Sequence, residues 1–185
     1  TNSVAFANTA LPAWRGKTGK ERHAILLKWF NLIMANQDDI ARILTAEQGK
    51  PYAEAKGEVA YGASFVEWFA EEAKRFNGEV LPQFDNNRRL LVLKQPIGVC
   101  AAITPWNFPI AIPAWKIAPA LAYGNTVVFK PASATPLLAA RFVEALADAG
   151  LPAGVLNLVT GSASVVGDPL VEDDRIAAIS FTGSG

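Results

Sequence analysis

Cysteine, histidine and methionine each occur only once in the 185-residue sequence, and positive and negative charges cancel. The single cysteine, Cys100, excludes an internal disulfide framework and is typical of a reducing compartment, so we expect a cytoplasmic protein. Seventeen basic and seventeen acidic residues leave no net charge that would attract nucleic acid or an anionic membrane surface. The single histidine, His23, has no aspartate or cysteine arranged around it; we predict it at the surface of a helix, and we predict no metal site.

Long apolar runs are missing as well. No stretch of eighteen apolar residues occurs and no charged-then-apolar leader opens the chain, so neither a membrane span nor a secretory signal is predicted. A hydrophobic share of 51% with 18% charged residues is typical of a globular protein. The chain has no initiator methionine and stops just after a predicted strand, so we expect both ends to be truncated.

The first eighty residues predict helices. Thr18 and Glu21 have the spacing of a capping box, in which each side chain accepts from a free amide at the helix start. A second helix is expected to begin near Asn36 and to end at Gly49, since glycine just past a helix end favours termination. A third carries apolar residues at spacings of three and four and stops at Gly78.

After residue 80 the pattern changes from helices to strands. Residues 85–87 form a turn cluster, and residues 89–94 predict one arm of a hairpin. The rest alternates strands at 99–103, 126–129, 155–159 and 176–181 with helices at 108–123, at 136–149 and near residue 164. All four strands are apolar throughout, the pattern produced when helices cover both faces of a parallel sheet. We therefore predict an α/β protein: a three-layer, open, parallel-sheet nucleotide-binding domain over residues 99–185, preceded by helices over 1–80 and a hairpin over 81–98.

Polar and glycine-rich segments follow each predicted strand, at residues 104–107, 130–133, 160–162 and 182–184. In open α/β sheets, ligands bind beyond the carboxyl ends of the strands, where helix amino termini offer free amides to phosphate. No G-x-G-x-x-G follows the first strand, so the ordinary dinucleotide fingerprint is absent. These residues alone predict a nucleotide or another phosphate-bearing ligand.

Five segments together resemble the aldehyde dehydrogenase superfamily. They are ITPWNFP at 103–109, GNTVVFKP at 124–131, FTGS at 181–184, EQGKP at 47–51 and KQPIGV at 94–99. The resemblance covers nearly the whole chain and is strongest to succinate-semialdehyde and ketoglutarate-semialdehyde dehydrogenases. It implies the oxidation of an aldehyde with NAD or NADP, in a cytoplasmic homodimer or homotetramer. In that family a cysteine thiolate attacks the aldehyde, a hydride passes to the nicotinamide, and a glutamate-activated water releases the acid.

Two residues match catalytic positions of the family. Asn107 matches the asparagine whose side-chain amide donates to the oxyanion, although it could also cap the helix that follows. Lys116 matches a lysine thought to assist proton movement, and the alternative is a charge on a helix surface. The nucleophile and the general base of the family lie beyond this chain. Cys100, within an apolar strand, is predicted to be a small buried hydrophobe and not the nucleophile, so the chain alone should be inactive.

The cofactor positions implied by the resemblance are Ile103, Thr104, Pro105, Trp106, Lys130, Pro131, Ala132, Ser133, Gly161, Gly183 and Ser184. Lys130 and Ser133 match residues at the adenosine ribose, while Gly183 and Ser184 match a pyrophosphate loop. The alternatives are a packed Trp106, a solvated Lys130, a plain turn at Gly183, and a Ser133 that helps cap the next helix, for which Thr135 is better placed.

The substrate position is Trp115, where succinate-semialdehyde enzymes typically have an arginine that binds the distal carboxylate. Tryptophan there is more similar to general or ketoglutarate-semialdehyde members. A second departure is Gly185, where the family often has threonine or valine. Two other functions stay open: a non-catalytic nucleotide-binding domain, and an acyl-phosphate reductase of the same superfamily.

Overall fold

Four helices make up the amino-terminal part of the computed structural model, which describes residues 2–184. They are α1 (Asn2–Arg15), α2 (Gly19–Ala35), α3 (Gln37–Gln48) and α4 (Tyr52–Glu72), the last followed by a 3-10 turn at Ala73–Arg75. The predicted capping box is confirmed, because Glu21 N donates to Thr18 Oγ1 at 3.2 Å and Thr18 N donates to the Glu21 carboxylate at 2.8 Å. Gly49 ends α3 with a φ of 84°, as predicted. Among residues 2–184, no helix is long and apolar enough to cross a membrane.

The remaining elements form a hairpin and a parallel sheet. They are β1 (Glu79–Leu81), β2 (Leu90–Val92), β3 (Val99–Ile103), α5 (Ala111–Ala122), β4 (Thr126–Lys130), α6 (Pro136–Asp148), β5 (Leu156–Leu158), a π-helical turn (Ala163–Gly167), α7 (Asp168–Val171) and β6 (Ile176–Phe181). Strands β1 and β2 pair antiparallel, while the other four form a sheet in the order β5-β4-β3-β6 with every pair parallel. The predicted hairpin and parallel sheet are confirmed.

Helices cover both faces of this sheet, which gives the predicted three layers. Alternate residues of β4 point to opposite faces, as strand geometry requires. Phe129 lies in a large core with residues of α2, α3, α4, α5 and α6, whereas Val128 packs in a smaller core with Val4 and Ala7 of α1 and Leu170 of α7. The segments that follow the carboxyl ends of the strands carry the candidate site.

Strand β6 departs from the prediction of an apolar strand buried on both faces. Ile179 is 42% exposed and Phe181 is 59% exposed. The reason is position: among residues 2–184, β6 is an edge strand paired only with β3, and it lies outside both core clusters except at Ile176.

The prediction that His23 lies at the surface is wrong. Its side chain is 16% exposed, and Nδ1 lies 3.0 Å from the carbonyl oxygen of Ala70 and 3.5 Å from the Glu71 carboxylate. Helix α4 packs along α2 on that side, which a helical period read from α2 alone does not reveal.

Candidate cofactor and catalytic site

The segments that follow the four strands meet at one edge of the sheet. Strand β3 lies between β4 and β6, with Ile103 paired to Lys130 on one side and to Phe181 on the other. The backbone pairing continues past the strand ends, since Thr104 N donates to Lys130 O at 3.1 Å and Thr182 N donates to Ile103 O at 3.1 Å. The structure therefore brings together the predicted segments 104–107, 130–133 and 182–184 around the end of β3.

Lys130 is the buried cation of this edge. It is 8% exposed, so a solvated charge is the wrong interpretation. Its Nζ has one hydrogen bond, a long one of 3.5 Å to the carbonyl of Pro131, and no ion pair within residues 2–184. The methylene groups of the Lys130 side chain lie beside Gly167 of the π-helical turn. A Cβ atom built on Gly167 would be 3.8 Å from Lys130 Cε. A buried ammonium with so weak a partner is costly unless a ligand completes its shell.

Thr104, beside Lys130, presents a second incomplete polar group. Its Oγ1 is buried and has no hydrogen-bond partner in the described part of the chain. Pro131 is buried and Ala132 half-buried, so the loop after β4 turns inward before it reaches the surface at Ser133. An unsatisfied hydroxyl beside an uncompensated cation fits a polar, anionic ligand such as a nucleotide at the end of β3.

Ser133 links the loops after β4 and β5. Its hydroxyl is exposed and donates to the carbonyl oxygen of Gly161 at 3.3 Å. Gly161 has a φ of 152°, and a Cβ there would lie 2.5 Å from Cγ2 of Val166. A side chain at Gly161 is therefore disfavoured by both the backbone conformation and the space available.

Neither Ser133 nor Thr135, the alternative considered for capping α6, caps this helix with its side chain. Thr135 occupies the N-cap position, but its side chain accepts no capping hydrogen bond. The carboxylate of Glu47, from the end of α3, accepts instead from Leu137 N at 2.9 Å and Leu138 N at 2.8 Å. A carboxylate is well placed against the positive end of a helix dipole. Ser133 is thus not engaged in capping α6, and its hydroxyl bonds the carbonyl oxygen of Gly161 instead.

Asn107 and Trp106 are exposed on the loop between β3 and α5. Trp106 is 57% exposed, so it is not simply packed. The cap proposed for Asn107 is also wrong, because α5 begins at Ala111, after an N-cap at Ile110. Asn107 is held by its backbone oxygen, which accepts from Lys50 Nζ at 2.9 Å, and its side-chain amide has no hydrogen bond within residues 2–184. That amide can donate to a bound group.

Glu58 is the functional neighbour that the sequence analysis missed. Its side chain is 1% exposed, contacts Lys50 through Oε2, and accepts through Oε1 from Ile110 N at 2.9 Å and Ala111 N at 3.4 Å. It therefore caps α5 from fifty residues away. The available signal was an acid inside the apolar stripe of α4, between Ala55 and Val59, where an unpaired charge would be too costly.

Lys116 is half-buried on α5 and faces the sheet. Its Nζ donates to Ser180 Oγ on β6 at 2.8 Å, and burial lowers the pKa of its ammonium. An ordinary surface charge would have neither property. A lowered pKa increases the fraction of the amine that is unprotonated and therefore able to accept a proton.

Trp115 lies on the other side of Lys116, in an aromatic cluster with α4. Its ring meets Phe65 edge-on with a centroid distance of 5.4 Å and Tyr61 with one of 6.5 Å. With Trp68 and Phe69 it lines an open cavity of about 430 Å³. The charged residues of α4 do not line this cavity, so it suits an apolar or weakly polar group.

Cys100 lies in the middle of β3 and is half-buried, less than predicted. It packs against the larger core, and burial raises the pKa of its thiol. A raised pKa keeps the thiol protonated at neutral pH, which disfavours a nucleophilic role. Within the described residues, histidine, cysteine, aspartate and glutamate nowhere form a group of three that could hold a metal ion.

Gly183 and Ser184 are exposed just past β6, beside Thr182. A Cβ on Gly183 would lie 2.8 Å from the ring of Phe181, so a side chain there would require this exposed ring to shift. The departure noted at Gly185 lies outside the described residues.

Comparison with known proteins identifies the family of this chain. The aldehyde dehydrogenase family model matches residues 1–185. Over 182 residues, 98% of its length, the chain is 59% identical to the Escherichia coli succinate-semialdehyde dehydrogenase [NADP(+)] GabD. It is 58% identical over the same length to a glutarate-semialdehyde dehydrogenase of Pseudomonas putida. It covers 38% of the length of each of these relatives.

Solved structures give the same result. An NADP-dependent enzyme of E. coli superposes with a TM-score of 0.95 at 57% identity, covering 97% of this chain and 37% of that one. PnpE in complex with nicotinamide adenine dinucleotide superposes with a TM-score of 0.95 at 38% identity, over 98% of this chain and 37% of that one. As its motifs predicted, the chain belongs to the aldehyde dehydrogenase family.

Proposed function

We propose that this chain forms the cofactor-binding part, with the oxyanion donor, of an enzyme that oxidises a semialdehyde to the acid with NAD or NADP. The observation that carries the proposal is the edge of the sheet, where the uncompensated Lys130 and the free amide of Asn107 lie on neighbouring loops. The relatives named for succinate- and glutarate-semialdehyde oxidation support the substrate class.

The cofactor would lie across the ends of β3, β4 and β6. Lys130 and Ser133 would hold its adenosine ribose, next to Pro131 and Ala132. Gly161, Gly183 and Ser184 would let the backbone approach its pyrophosphate, and the segment Ile103-Thr104-Pro105-Trp106 would line its path. When bound, NAD or NADP accepts a hydride.

The catalytic roles assigned to this chain are charge stabilisation and proton movement. The Asn107 amide would donate to the oxygen of the aldehyde as negative charge develops there, and a neutral donor held by its backbone needs little reorganisation. Lys116, whose pKa burial lowers, would accept or relay a proton through Ser180. Trp115 would contact the substrate's chain.

The proposed function and the role of Trp115 are tested by assaying the full-length gene product. We expect turnover of succinate semialdehyde and of an uncharged aldehyde of similar length, with limited preference for the acid, because indole offers one N–H and no positive charge. Specificity constants for both substrates are measured by following cofactor reduction. A preference for the acid above roughly a thousandfold, about 4 kcal/mol, would assign carboxylate recognition to another residue. Turnover of an acyl phosphate in place of both aldehydes would identify a reductase.

Ser133 predicts good use of NADP. A glutamate here would accept from the ribose hydroxyls but repel a 2′-phosphate, whereas the exposed Ser133 hydroxyl carries no charge and Lys130 lies nearby. Ser133→Glu should lower kcat/KM for NADP at least tenfold, about 1.4 kcal/mol, and affect NAD less. Ser133→Ala is the matched control, because it removes the hydroxyl without adding charge. Equal losses for both cofactors in Ser133→Glu would contradict the prediction.

The hairpin suggests how copies associate. Apolar side chains on and around β1 and β2 are exposed, among them Val80 at 73%, Leu91 at 67% and Leu93 at 76%. Exposed apolar groups of this kind are typical of interfaces. We propose that residues 81–98 belong to the oligomerisation region of a homodimer or homotetramer. The domain boundaries at residues 80 and 98 stay predictions, and so does the cytoplasmic location.

A further inference from the structure

Lys50 and Glu58 form a mostly buried ion pair against the loop that carries Asn107. The Lys50 side chain is 11% exposed and that of Glu58 is 1% exposed. Lys50 Nζ contacts Glu58 Oε2, donates to the backbone oxygen of Asn107 at 2.9 Å, and lies 4.2 Å from the ring centroid of Phe108. We propose that this pair is a positioning device that sets the direction of the Asn107 amide for catalysis.

The pair holds the loop at Asn107 itself and at the start of α5 just after it. Lys50 fixes the carbonyl of Asn107 itself, while Glu58 fixes the amides of Ile110 and Ala111 at the start of α5. Between β3 and α5 the chain has no regular structure of its own to set these angles. Because a peptide unit is planar, holding the Asn107 carbonyl restricts the backbone angles that aim its side chain.

Lys50 is itself placed by the end of α3. Gly49 adopts a left-handed conformation, with a φ of 84°, that turns the chain sharply before Lys50. Lys50 then extends towards the buried face of α4, where Glu58 lies among apolar residues. The end of α3, the turn at Gly49 and helix α4 therefore together place the Lys50 ammonium against the backbone oxygen of Asn107.

A purely structural purpose accounts poorly for this arrangement. Two apolar side chains of similar volume often stabilise a buried position as well as an ion pair does. Apolar side chains, however, could neither donate to the Asn107 carbonyl nor accept from the amides of Ile110 and Ala111. A role in holding the loop therefore explains the Lys50–Glu58 ion pair better than packing alone does.

The test measures kcat, KM and cofactor affinity in the full-length gene product, and it rests on the proposed role of Asn107. Lys50→Met keeps the length of the side chain but removes its charge and its donors. We expect kcat for aldehyde oxidation to fall roughly 10–100-fold, because small misplacements of catalytic groups cost up to about 10²-fold. KM for the cofactor should change by less than about twofold, and Lys50→Arg should recover part of kcat, since it restores a cationic donor. A fall confined to KM would overturn the inference.

Lys56→Met is the matched control. Lys56 lies on α4, the helix that carries Glu58, and pairs with Asp38 at 2.7 Å, but its side chain is 40% exposed and the pair does not include the Asn107 loop. We expect its kcat to stay within about twofold of the unaltered protein, as is usual for an exposed ion pair.

The double variant of Lys50→Met with Asn107→Ala separates positioning from other effects. If Lys50 acts through Asn107, the double variant should be no more than about threefold slower than Asn107→Ala, since residues that act as a unit are not additive. Multiplied losses would overturn the inference. If Asn107→Ala alone leaves kcat unchanged, the proposed role of Asn107 fails instead.

Thermal unfolding and nucleotide binding by fluorescence show whether each variant is folded. Should Lys50→Met unfold, Glu58→Gln decides in its place, since it keeps an oxygen for Ile110 N but loses the charge opposite Lys50. A folded Glu58→Gln with normal nucleotide binding and unchanged kcat would overturn the inference, and a selective fall in kcat would support it.

Discussion

Replacing Asn107 with alanine is expected to lower kcat for aldehyde oxidation by about 10²–10³-fold, the usual cost of removing one oxyanion donor. The reason is geometric: the side-chain amide is exposed and unpaired in the described chain, while the backbone is fixed by Lys50. Alanine keeps that backbone contact and removes only the donor. Steady-state kinetics of the full-length gene product give kcat, and nucleotide titration gives cofactor affinity, which should change little.

Asn107→Asp sharpens this test, since it has nearly the same shape but carries negative charge and no donor. It should be at least as slow as Asn107→Ala, because a carboxylate opposes the developing oxyanion. Asn36→Ala, at an exposed junction between α2 and α3, is the control for loss of an asparagine. An active Asn107→Asp enzyme would show that Asn107 does not stabilise negative charge.

Lys130→Met is expected to change binding and stability in opposite directions. Cofactor affinity should fall roughly 10–100-fold, because hydrogen bonds to charged groups are worth about 1.5–3 kcal/mol. The free energy of unfolding of the cofactor-free protein should rise by about 1 kcal/mol or more, because a buried ammonium with one 3.5 Å hydrogen bond is replaced by an apolar chain of similar length. Nucleotide titration and denaturant unfolding measure the two effects.

Lys20→Met is the control for Lys130→Met, since Lys20 is exposed on α2, far along the chain from the site. It should leave both cofactor affinity and unfolding nearly unchanged. A less stable Lys130→Met protein would mean that Lys130 has a structural partner, and unaltered affinity would remove it from the cofactor site.

Local chemistry predicted the elements of this fold well. The Thr18–Glu21 capping box, the stop at Gly49 and the four apolar strands all depend on residues close in sequence, and all are present. The resemblance to a known family added the roles of residues that spacing alone left open, such as Lys130 and Asn107, and those roles remain proposals.

The failures have a common physical origin. The sequence offered Asn107 and Thr135 as local caps, yet α5 and α6 are capped by Glu58 and Glu47, from about 50 and 90 residues away. Any hydrogen-bond acceptor can satisfy a free amide at a helix start. Which acceptor does so is decided by how the helices pack, and the sequence near the helix does not show it. The same holds for the half-buried His23, whose environment is set by another helix.

The packing of α1 across the sheet has a consequence for biosynthesis. This helix, the first element described, buries Val4 and Ala7 against a face that includes β4, and it also contacts β5. Strand β5 follows it by about 140 residues, so at about 5–20 residues per second a ribosome would take roughly 7–30 seconds to supply it. Until β3 and β4 emerge, the apolar side of α1 has no native partner in the sheet, and its contact with β5 forms last. The nascent chain should therefore present α1 as an early binding site for chaperones, and release from them should coincide with the emergence of β5.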